Sequence, residues 1–228
     1  MKDLSKYGWT AILLVLIALS CLAQTPKPAG GKKHLLVVGQ CMGSTHDSIS
    51  HAMVTLGKIG ADSGLFDVTL RTDVANITKK PTKGNAKNLD YFDAIFFYTT
   101  GELPLDDSQK ADLLAFVRDD GKGFLGTHSA TDTLYQWPEY GELIGGYFDE
   151  HPWHQEVLVK VEDREFPATR HFPPSFQIID EIYQFKNFSR DRVRVLMSLD
   201  NSSIDLTKKN VKRQDKDFAV AWARRYGK

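Results

Sequence analysis

Three short segments carry the side chains that can move protons or hold a metal: Gly43-Ser-Thr-His46-Asp47-Ser48, Gly126-Thr-His128-Ser-Ala-Thr-Asp132 and His151-Pro-Trp153-His154-Gln155. An imidazole titrates near neutrality and offers a lone pair to a cation, so His46 and His128 each suit proton transfer or metal ligation. The plainer reading of His46 is a ring bonded to its own loop backbone. Asp47 or Ser48 can cap the helix that follows, and that helix start can hold a polar or anionic group. In the second segment, Gly-x-His-Ser-Ala has the form of the tight strand-to-helix elbow on which hydrolases raise a strained nucleophile. Here His128 occupies the elbow and Ser129 falls one place late. Gly126 and Ala130 are small enough to keep the turn tight. Asp132 can orient a histidine or bond sugar hydroxyls; the alternative for His128 is a buried structural ring. In the third segment, His151 and His154 flank Trp153, which either stacks on a sugar face or plugs a core. Asp180-Glu181, followed by Tyr183, adds carboxylates for acid–base work, although such pairs are common on surfaces. Histidines converging on one face would suit a divalent metal such as zinc, with His46, His128 and His151 as the candidate ligands.

These segments need a scaffold that presents them together. His34-Leu-Leu-Val-Val-Gly39, Ala94-Ile-Phe-Phe-Tyr98 and Gly123-Phe-Leu-Gly126 are short apolar runs ended by turn residues, the pattern of buried parallel strands. Phe66–Arg71 reads as a further strand. Ser48–Ile59 is amphipathic, with Ile49, Ala52, Met53 and Leu56 on one face. Asp106–Arg118 turns Leu113, Leu114 and Val117 inward, with Asp106 or Asp107 as its cap. Strands alternating with helices define a doubly wound α/β sheet, whose ligands collect outside the carboxyl ends of the strands. After that the pattern changes. Glu156–Val161, Arg194–Leu199 and Phe218–Ala223 read as strands of an appended β-rich segment. Pro167, Pro173 and Pro174 break any long element between the first two, and 201–216 reads as an exposed loop.

The 228 residues suit one domain, and 42% hydrophobic content is enough for a core. Lys plus Arg and Asp plus Glu both number 29, so no field draws nucleic acid or an anionic membrane. Residues 1–23 carry Lys2 and Lys6, then an apolar run from Ala11 to Leu19 and small residues near Ala23, the pattern of a secretory signal peptide. Cleavage after Ala23 leaves a protein free in the periplasm or outside the cell. Cleavage before Cys21 leaves a lipidated, membrane-anchored one. The former is favoured, because Leu19 stands one place later than the usual lipobox leucine. Residues 24–33 read as a Pro/Gly-rich tether. Cys41 is then the only cysteine of the globular part, which rules out an internal disulfide in the soluble form and a cysteine-rich metal site.

Four strings come in the order and spacing of the ThuA-like family, named for bacterial trehalose utilisation. They are His46-Asp-Ser-Ile49; Gly126 to Asp132 with Tyr135-x-Trp-Pro138; Gly145-Gly-Tyr-Phe148 with His151-Pro152; and Asp180-Glu-Ile-Tyr183. The resemblance covers 34–228. It implies a flavodoxin-like fold similar to class I glutamine amidotransferases, and a further strand and helix beyond Lys228. It also implies processing of a small carbohydrate, a trehalose-like disaccharide or its oxidised 3-keto form, by elimination, hydrolysis or isomerisation. Amidotransferases carry cysteine at the elbow; His128 replaces it here and Cys41 follows a different strand, so thiolate-dependent glutamine hydrolysis is excluded. On this reading His128, Asp132 and Glu181 are catalytic, and His46, Tyr135, Trp153 and Tyr183 bind substrate. The rival is a non-catalytic carbohydrate-binding domain, with Tyr135, Trp137 and Trp153 stacked on sugar rings. A scaffold or interaction domain is the third reading.

Overall fold

The computed structural model describes residues 30–84 and 86–228. The expected signal peptide, Cys21 and most of the tether lie outside the described residues. Strands β1 (Lys33–Val38), β2 (Phe66–Arg71), β3 (Ala94–Phe97) and β4 (Gly123–Gly126) form a parallel sheet in the order β2-β1-β3-β4. The β1 side chains show why the sheet is covered on both sides. Leu35 and Val37 pack with Ile49 and Met53 of helix α1 (Ser48–Ser63). Leu36 and Val38 pack with Leu113 and Phe116 of helix α2 (Asp107–Arg118), and with Tyr140 and Leu143 of helix α3 (Pro138–Ile144). A strand buried on both faces must be apolar at every position, which is how β1 and β3 read. Asp106 and Gln109 start α2 with a reciprocal capping box, satisfying two backbone N–H groups that the helix leaves open.

A second sheet is antiparallel, in the order β10-β9-β6-β7. It contains β6 (Trp153–Val161), β7 (Ser175–Ile182), β9 (Arg194–Leu199) and β10 (Ala219–Ala223). Its inner face gathers Trp153, Val157, Val159, Ile182, Leu196 and Phe218. A two-stranded ladder of β5 (Tyr147–Phe148) and β8 (Phe185–Lys186) runs beside it.

Two expectations are corrected here. Three prolines were expected to break the region between β6 and β9, yet the eight-residue β7 begins directly after Pro174 and pairs along β6 from Trp153↔Ile182 to Lys160↔Ser175. Proline interrupts a ladder only where it sits in one, and these sit in the connection. Within 201–216, Ile204 is buried and Leu206 and Val211 pack on the second core, so the segment is less exposed than its charge implied.

At the end of β6, Glu162 takes two guanidinium N–H bonds from Arg190, at 2.6 and 2.8 Å, while Arg190 also bonds Asp217. The Arg190 bonds hold the Glu162 carboxyl below its ordinary value; burial opposes them. A carboxyl with a depressed folded pKa adds stability above its unfolded pKa and loses it as the pH falls through the folded one. Glu162→Gln should therefore lower the melting temperature at pH 7, with the deficit shrinking below about pH 4.5. Melting curves at pH 7 and pH 3 check this; an equal deficit at both would contradict it. The groups are partly exposed, so the effect is modest.

Candidate functional site

The carboxyl ends of β1, β3 and β4 are stitched into one floor. The Met42 N–H donates to the Thr100 carbonyl at 2.8 Å, and the Gly101 N–H to the Asp132 carbonyl at 2.8 Å. The Thr100 hydroxyl donates to the Ser44 carbonyl at 2.7 Å. Gly101 has φ +72°, and a Cβ there would stand 2.7 Å from the Gly43 nitrogen, so only glycine lets the two loops approach. At the elbow, a Cβ on Gly126 would lie 2.9 Å from that of Ala130, which makes the small pair a steric requirement.

The chain leaves β4 into a short 3-10 turn, His128–Thr131. His128 takes a left-handed backbone, φ +46°, that residues with a β-carbon enter at a cost. This aims its ring across the floor. His46, from the loop after β1, meets it edge to face with centroids 4.7 Å apart. From the other side, the end of β7 supplies Glu181, whose Oε2 is 3.3 Å from His128 Nε2. The Tyr183 hydroxyl lies 3.1 Å from the same nitrogen. One ring nitrogen cannot donate and accept at once. With the proton on Nε2, His128 donates to Glu181; with it on Nδ1, Nε2 accepts from Tyr183. Burial, reinforced by His46, lowers the His128 pKa against the pull of Glu181 and Asp180, which leaves a neutral imidazole at pH 7. Burial raises the Tyr183 pKa, with Glu181 adding to it, so the phenol keeps its proton.

Asp132 stands beside this cluster and accepts the Tyr135 hydroxyl at 2.6 Å. That hydroxyl also reaches the Phe148 carbonyl, at 3.2 Å, and the Tyr135 ring lies against Tyr147. Tyr135 is thus placed to hold Asp132, not to offer an open face to a sugar. Tyr135→Phe removes a hydrogen bond to a carboxylate, roughly 1.5–3 kcal/mol. If Asp132 works in the transition state, kcat should fall roughly tenfold or more in protein that is still folded at the assay temperature, beside a fall of several degrees in melting temperature. An unchanged kcat would remove Asp132 from the reacting set.

Three further expectations change. Trp153 is fully buried; its ring packs edge-on against Phe218 and its indole N–H donates to the Asp205 carbonyl at 3.0 Å. It is a core residue, as is Trp137, so the expected aromatic platform for sugar stacking is not assembled. His151 does not join the His46–His128 pair. It lies at the exposed rim with Nδ1 3.8 Å from Glu181 Oε1, and Glu181 takes the third position. Neither Asp47 nor Ser48 caps α1 through its side chain; Ser48 instead shares a 2.5 Å hydrogen bond with Tyr98. Tyr98 was not singled out from the sequence. Its ring contacts both His46 and His128, and the available sign was a polar-tipped aromatic ending an otherwise apolar parallel strand. His154 lies opposite Glu181 in the β6–β7 register and is exposed. A cavity of about 820 Å³ runs along β4 and includes His128, Asp180, Glu181 and Tyr183 in its wall, a volume ample for a small organic ligand.

A doubly wound parallel sheet with an antiparallel β segment, and a histidine at the elbow, defines a class of α/β protein whose site cannot work through an elbow thiolate. The family model described as trehalose utilisation, ThuA, matches residues 34–228, and the chain belongs to that family. The fold is similar to a crystal structure of a ThuA-like protein from Bacteroides uniformis, with TM-score 0.69 and 23% identity over 88% of this chain and 81% of that one. It is also similar to one from Parabacteroides merdae, with TM-score 0.54 and 19% identity over 76% and 71%. No curated protein gives a significant match.

Proposed function

We propose that this ThuA-family protein is an exported enzyme that processes an oxidised disaccharide by proton transfer beside a keto group. The observation that carries the reading is the convergence of His46, His128, Glu181 and Tyr183, drawn from two sheets, on the carboxyl-end floor where α/β folds place their ligands. In a 3-keto sugar the hydrogen on C2 is acidified by the neighbouring carbonyl. The imidazole–carboxylate set of His128, Glu181 and Asp132 takes that proton. The C–H electron pair becomes a C1–C2 double bond, the C1–O glycosidic bond breaks, and Tyr183 protonates the departing oxygen. Where no leaving group departs, returning the proton to a different atom gives isomerisation.

The test is incubation with 3-ketotrehalose and with unoxidised trehalose in D2O, followed by NMR. Deuterium uptake at C2 or cleavage of the keto-sugar, with trehalose untouched, is expected. Absence of exchange and cleavage on every keto-disaccharide tried would overturn the reading and favour a binding role. Export is tested separately, by locating the full-length protein after cell fractionation.

A further inference from the structure

We propose that His46, His128 and Glu181 together bind one divalent first-row transition-metal cation of the zinc class, an inference that rests on this face being the reacting site. One donor atom from each lies within 4.8 Å of the other two. The 3.3 Å between His128 Nε2 and Glu181 Oε2 matches the edge of a tetrahedron whose ligands stand about 2.0–2.1 Å from its centre. The two imidazole planes are inclined at 88°, which lets their nitrogens approach a common point without the rings overlapping.

A second observation points the same way. His46 Nδ1 is buried and has no hydrogen-bond partner. A buried ring nitrogen is costly to leave unpaired unless a bound group completes it. His128, the residue between the other two, is also the one kept in a left-handed backbone conformation, where the turn sets the aim of its side chain.

The donor set names the class of ion. Two imidazoles and a carboxylate are the ligands of catalytic zinc sites that keep one position open. Magnesium and calcium prefer oxygen ligands alone. His151, with Nδ1 3.8 Å from the second Glu181 oxygen, stands outside the set and beyond hydrogen-bond distance of it. Bound here, the cation polarises a substrate carbonyl. His128 then serves as a ligand, and the proton passes to a carboxylate outside the set, Asp132.

The experiment is titration of untagged, chelator-treated protein with zinc chloride by calorimetry, repeated with manganese, magnesium and calcium chlorides. One zinc per chain is expected, weakened at least about 100-fold in His46→Ala and in Glu181→Gln, and unchanged in His171→Ala, an exposed histidine packed on Phe172. Magnesium and calcium should give no comparable heat. Cobalt substitution supplies a second readout: an intense visible band of a four-coordinate ion, lost in Glu181→Gln. Melting curves of each variant establish that it is folded. No zinc binding, or binding that ignores both site variants, overturns the metal site. Turnover of a keto-sugar by metal-free protein overturns the cation's part in the reaction while leaving the carbohydrate reading intact. Stoichiometric zinc without any turnover does the reverse.

Discussion

His128→Asn is expected to lose keto-sugar turnover by a factor of about a thousand while remaining folded. Removing a positioned acid–base group costs roughly 10²–10⁴ in rate, and asparagine supplies neither an imidazole base nor an imidazole ligand. The choice of asparagine follows from the backbone. His128 has φ +46°, a region that asparagine tolerates and that costs an ordinary β-carbon residue about 1–2 kcal/mol. His128→Ala would mix that strain with the chemical loss, whereas His128→Asn isolates the chemistry. The ring lies against His46 and Tyr183, so some packing is lost too, and a fall of a few degrees in melting temperature is expected. Turnover and thermal unfolding on the same preparation decide the matter. Full turnover in a folded His128→Asn protein would remove His128 from the reaction, as base and as ligand alike.

Much of the parallel sheet was legible because its strands have no polar face. Residues 35–38 and 94–97 are apolar throughout, and only a strand covered on both sides needs that. Helix α2 was legible through its inward Leu113, Leu114 and Val117 and a capping aspartate, which the structure shows to be Asp106, boxed with Gln109. Strand β7 was hidden for the opposite reason. It is an edge strand with Ile179 72% exposed, so its side chains show no alternation of inward apolar and outward polar residues. Helix α3 has only seven residues, too few for a helical period to show, although Pro138 in its first turn was a usable sign. The site divided along the same line. His46 and His128 sit just past the carboxyl ends of strands that could be read, so both were expected on one face of the sheet. Glu181 arrives on β7 and Tyr183 directly after it, and the β6–β7 pairing that ends at Ile182 brings them to His128. The pattern of histidines favoured His151 as the third member, but the chain there turns it to the rim.

Trp153→Ala should lower the melting temperature by about 10 °C or more, the largest stability loss among the changes considered. The indole is fully buried in the second core, against Phe218, and truncating a buried tryptophan costs roughly 3–5 kcal/mol. In a domain of this size each kcal/mol moves the midpoint by about 2–4 °C. The Asp205 carbonyl also loses its donor. Trp153→Phe separates the two contributions: it keeps most of the ring contact, gives up the N–H bond, and should fall by only about 1–2 kcal/mol. A sugar-stacking Trp153 predicts another pattern, a near-normal melting temperature with a large rise in KM for Trp153→Ala. The buried indole predicts that activity and stability fall together, because Trp153 is paired with Ile182, the residue between Glu181 and Tyr183. Loosening that pair frees the strand end that carries both groups to His128. Trp153→Phe should therefore retain both folding and turnover, and melting curves beside KM and kcat for the two variants distinguish a core support of the site from a surface that touches substrate.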